Sequence, residues 1–107
     1  MQFLSLSTRR SDRFSDAEFA SLVDAEIERA RELYADGFIR QIWHRGDRPG
    51  ACILIEADSL EQARARLQTL PLIRADMLDV SIVPLMPYAG FRPAQGGLQP
   101  VADEDDA

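Results

Sequence analysis

The chain has 107 residues, enough for one domain built around a single modest core. Its formal charge of −6 is set by the end of the chain. Of 18 acidic residues, Asp103, Glu104, Asp105 and Asp106 fall in the last stretch and leave 14 against 12 basic, a balance with no electrostatic footprint for nucleic acid. All 12 basic residues are arginine, which excludes Schiff-base chemistry and a lysine general base.

No apolar run approaches the roughly 18 residues that a membrane span needs, and Met1-Gln2-Phe3-Leu4, without a basic region and a long apolar stretch after it, is not expected to open a signal peptide. Cys52 is the single cysteine. It has no internal disulfide partner and is expected to be a reduced core thiol of a cytoplasmic protein.

The elements follow in order. Residues 2–7 alternate as a short strand with Leu4 and Leu6 on one face. A polar loop over 8–14 carries Arg9, Arg10 and Arg13, read first as solvated, with an anion gate as the alternative. Ser15-Asp16-Ala17-Glu18 is a capping-box sequence, and the spacing that follows predicts a helix over 16–36, closed by Asp36-Gly37. Its apolar residues Phe19, Leu22, Val23, Ile27, Ala30, Leu33 and Tyr34 fall on one arc roughly 140° wide.

Residues 38–45 and 51–57 read as strands joined by the turn Gly46-Asp47-Arg48-Pro49-Gly50. The second of these strands is apolar on both faces. Asp58 or Ser59 starts a helix of about a dozen residues, ended by Pro71, and 77–85 forms a last strand. The order β-α-β-β-α-β is the ferredoxin-like split motif: an α+β fold with a four-stranded antiparallel sheet and both helices on one face. The other face is left apolar and bare, which predicts a second copy packed sheet to sheet, a dimeric α+β barrel. The domain is expected to span 1–93 with an arm over 85–93, and 94–107 to be a disordered acidic tail.

One acid stands out. Glu26 projects into the middle of the apolar arc, so a helix that buries the arc carries a carboxylate inward, which is costly without a partner or a task. On the second strand Arg40, Ile42 and His44 alternate onto one face, with Gln41, Trp43 and Arg45 on the other. Arg40 is the expected partner of Glu26, a bridge as compatible with a structural role as with catalysis. His44 reads first as a polar strand-end residue, and Trp43 first as core or interface. No metal-ligand spacing and no phosphate loop is present.

The runs Asp24-Ala25-Glu26-Ile27-Glu28-Arg29-Ala30, Asp36-Gly37-Phe38-Ile39-Arg40-Gln41-Ile42-Trp43 and Leu67-Gln68-Thr69-Leu70-Pro71-Leu72 resemble those of muconolactone Δ-isomerases over roughly residues 20–85. The stretch Ile73-Arg74-Ala75-Asp76-Met77 and the first strand depart from that pattern. The resemblance implies a cofactor-independent enzyme, without metal, that assembles as dimers or rings of dimers. It also implies an allylic proton shift in a small unsaturated lactone or related enolisable acid, with Glu26 as base. Arg40 would then stabilise a dienolate or hold a substrate carboxylate, His44 assist proton delivery, Trp43 wall the pocket and Tyr88 close it. The expected partners are a second copy and a small anionic metabolite, with neither nucleic acid nor membrane. The alternative is a non-catalytic dimeric module of the same fold that binds a small molecule or only assembles. A haem- or quinol-oxidising relative would rest on His44 alone.

Overall fold

The computed structural model describes residues 1–91; the expected acidic tail lies outside them. The chain runs β1 (Gln2–Arg9), α1 (Asp16–Ala35), β2 (Ile39–His44), β3 (Ala51–Glu56), α2 (Leu60–Leu67), α3 (Pro71–Arg74) and β4 (Leu78–Leu85), with a single 3-10 turn at Ala89–Phe91. The four strands form one antiparallel sheet in the order β2-β3-β1-β4, the ferredoxin-like topology.

Local chemistry explains the limits of α1. Ser15 Oγ accepts from the Glu18 N–H at 3.2 Å while Glu18 Oε1 accepts from the Ser15 N–H at 2.8 Å, so the capping box is complete. At the other end Gly37 takes φ +89°. Its N–H donates to Tyr34 O, and the Phe38 N–H donates to Leu33 O, a Schellman closure with Phe38 and Leu33 both buried.

Burial alternates cleanly along the two central strands. Phe3, Ser5 and Ser7 of β1 and Ile53 and Ile55 of β3 are buried; Phe3, Ile53 and Ile55 share one core with Phe19, Leu33, Ala63, Leu67 and Leu72 of the helices and with Leu70 between α2 and α3. Leu4 and Leu6 therefore point away from the helices, together with Leu54 and Cys52, which lie opposite them.

Two departures from the sequence reading position the rest of the molecule. The helix expected up to Pro71 ends at Leu67, and Pro71 opens α3 instead. Proline fits the first helical position, where its missing N–H has no intrahelical role. In β2 the register shifts between Ile39 and Gln41. Ile39 lies opposite Ile55 and Ile42 opposite Ile53, so both face the helices although they are three positions apart. Arg40 is the additional residue of this bulge.

Candidate functional site

A cleft of about 620 Å³ opens between α1 and the β2–β3 hairpin, within the range usual for small-molecule sites. Val23, Ile27, Ala30 and Tyr34 of α1 form one wall, and Ile42, Trp43 and His44 of β2 form the other. This accounts for the width of the α1 stripe. Phe19 and Leu33 bury against the sheet, whereas Ile27 and Tyr34 stay exposed at 44% and 62% because they face the cleft and not the core.

Glu26 lines this cleft. It is half-buried, and its Oε1 accepts a 2.9 Å hydrogen bond from the Leu72 N–H. That N–H is one of the donors left free at the start of α3, where Leu70 supplies no side-chain cap. The carboxylate of one helix thus caps another. A second link holds the same junction: Arg29 Nε donates to Thr69 Oγ1 at 2.9 Å. Desolvation raises the Glu26 carboxyl above its ordinary range, and the Leu72 hydrogen bond offsets part of that rise. Among the described residues Glu26 has no ion pair.

The expected Glu26–Arg40 bridge is not formed. The bulge takes Arg40 out of alternation, so it does not follow Ile42 and His44 toward the helices. Its Nε donates to Gly37 O at 2.8 Å, its side chain is exposed, and it does not line the cleft. His44 lies opposite Ala51, borders the cleft and shares it with Glu26. Trp43 is paired with Cys52 on the face away from the helices and still contributes to the cleft rim. Tyr88 packs edge-on against Phe91 at 4.9 Å between ring centres. Both rings are exposed and stand outside the cleft lining.

Three arginines line the cleft, Arg9, Arg31 and Arg45; of these only Arg9 carried an expectation, as a solvated residue or an anion gate. Arg45 is fully engaged. It holds Asp47 through Nε and Nη2 at 2.9 and 2.8 Å and donates to Thr8 Oγ1 at 3.0 Å, which keeps the Asp47 carboxyl down at about 2. Arg9 belongs to β1 and not to a loop, and its guanidinium lies 4.7 Å from the Phe19 ring centre. Strand length was the signal that could have found it, since Ser7-Thr8-Arg9 continues the alternation of β1. Among the described residues no three His, Cys, Asp or Glu side chains converge on a common point for a metal.

The family model described as muconolactone delta-isomerase matches residues 1–90. The fold is similar to a crystal structure of muconolactone isomerase at 3.3 Å resolution. The TM-score is 0.69 and the identity 22%, with 82% of this chain and 91% of that chain covered. No curated protein matches the chain.

Proposed function

Because the chain belongs to the muconolactone delta-isomerase family, we propose that it catalyses an allylic proton shift in a small, anionic unsaturated lactone, with Glu26 as the base. The observation that carries this reading is a partly desolvated carboxylate, without an ion pair among the described residues, facing a largely apolar cleft. The ionised carboxylate removes the ring C–H proton next to the lactone oxygen and becomes a carboxylic acid. The electron pair spreads through the C=C bond to the carbonyl oxygen as a dienolate. The same acid then returns the proton to the carbon next to the carbonyl, so the double bond moves one position and Glu26 is regenerated.

A base of this kind gains from partial burial, which raises its proton affinity toward the working pH. The Leu72 N–H fixes one oxygen, so the other is free to reach the substrate. His44 sits on the opposite wall, where it assists proton delivery, and Trp43 closes the rim. No cofactor enters this chemistry. The protein acts as a homodimer, or a ring of dimers, joined through the apolar sheet face. It works in the cytoplasm, where Cys52 stays reduced.

The test follows deuterium incorporation into muconolactone in D₂O by proton NMR. Wild-type protein is expected to exchange the allylic positions and form the isomer. Glu26→Gln keeps an oxygen to accept from Leu72, so it should fold normally and lose at least about 100-fold in rate. A wild type that exchanges nothing, or a Glu26→Gln protein of undiminished rate, refutes the assignment.

A further inference from the structure

We infer that Arg9 is the specificity-determining residue of the cleft, the guanidinium that holds the substrate carboxylate; this rests on the reading of the cleft as a lactone site. A cleft that presents Glu26 repels an anion unless a cation compensates, so its arginines decide whether an acidic ligand is accepted at all. Arg45 is not available for this, because both edges of its fork are taken by Asp47 and Thr8. Arg31 is exposed and has no ion pair among the described residues; it steers anions more than it fixes them.

Arg9 differs from both. It is partly buried, it pairs across the sheet with the buried Leu78, and its backbone N–H donates to Pro49 O at 3.0 Å. The Phe19 ring supports its guanidinium, and stacking leaves the fork edge of a guanidinium open for two parallel hydrogen bonds to a carboxylate. No ion pair engages it among the described residues. In particular it does not bridge to Glu26 across the cleft they both line, so a ligand with one acidic arm and one acidic C–H is able to span the two.

The test uses ligands that cannot react: the saturated γ-lactone with a carboxymethyl arm, and its carboxamide. Calorimetric titration of wild-type protein should show the acid binding about 10- to 100-fold more tightly than the amide. Arg9→Gln should bring the acid to the affinity of the amide and leave the amide unchanged. Arg74→Gln, which removes an exposed arginine outside this cleft, should preserve the preference. Arg9→Lys retains the charge without the fork and should keep only part of it, and this variant serves if Arg9→Gln folds poorly. Undiminished preference in Arg9→Gln or full preference in Arg9→Lys overturns the assignment, as does a wild type that binds neither ligand or does not prefer the acid. Because no turnover is needed, a wild type that prefers the acid through Arg9 but exchanges no protons refutes the isomerase reading alone.

Discussion

Glu26 has a proton affinity that rises on folding, because desolvation outweighs the hydrogen bond from Leu72. The sign of its effect on stability follows. Between the ordinary glutamate pKa and the raised folded value, the native state binds more protons than the unfolded chain, so the contribution of Glu26 to stability is fully present at low pH. It is lost as pH rises through that window. Glu26→Gln cannot ionise and lacks this dependence. The melting temperature of wild type minus that of Glu26→Gln is therefore expected to fall as pH rises from the ordinary glutamate value of 4.5 toward neutrality. A constant difference across that range would mean that Glu26 titrates as an ordinary surface acid. Helical periodicity made Glu26 legible as an anomaly. Its partner was not, because a backbone N–H carries no side-chain signature. The natural guess, Arg40, fails on a feature of the sheet.

That feature is the bulge in β2. Strict alternation puts Arg40, Ile42 and His44 on one face, and one additional residue changes the parity of everything before it. The bulge lets Ile39 and Ile42 both reach the helix side, and it sends Arg40 to Gly37 O. The α1 terminus is simpler, because its chemistry is local. Gly37 has φ +89° and nothing within 4 Å of an added Cβ, so Gly37→Ala meets no clash and pays only the left-handed backbone penalty. Chemical denaturation should show a loss of about 1–2 kcal/mol, with the helix otherwise intact. No change would mean that the closure relaxes to another conformation. Gly50 is a different case. A Cβ there would meet Ser7 O at 1.9 Å, so its glycine answers to the passing β1 strand and not to the turn it was read from.

The sheet face turned away from the helices is apolar over much of its width. Leu4, Leu6, Cys52 and Leu54 lie on it, with Val83 opposite Leu4 and Trp43 opposite Cys52; Leu6, Val83 and Trp43 are 37%, 49% and 47% exposed. Its proposed role is to pair with a second copy. Val83→Arg places a charge where the single chain tolerates one, since the site is half-exposed, and where a paired sheet does not. Sedimentation velocity at micromolar concentration should show an oligomer for wild type and a monomer for Val83→Arg. A monomeric wild type would remove the proposal of sheet-to-sheet pairing. Among the described residues no helix is long and apolar enough to cross a membrane.

Apart from α3, the kinds of element and their order were written in short-range signals: the capping box at Ser15, the glycine closure at Gly37, the hairpin turn at 46–50 and the two-faced apolar run of β3. Each depends on neighbours a few residues away, so a linear reading recovers it. The tertiary structure alone decided which polar groups meet. Glu26 reaches Leu72 across 46 positions, and Arg9, in a β1 that runs on past its expected end, stands over the Phe19 ring. Such encounters depend on strand register, on one bulged residue and on how far two helices separate. These are properties of packing between distant segments, and composition and periodicity do not encode them.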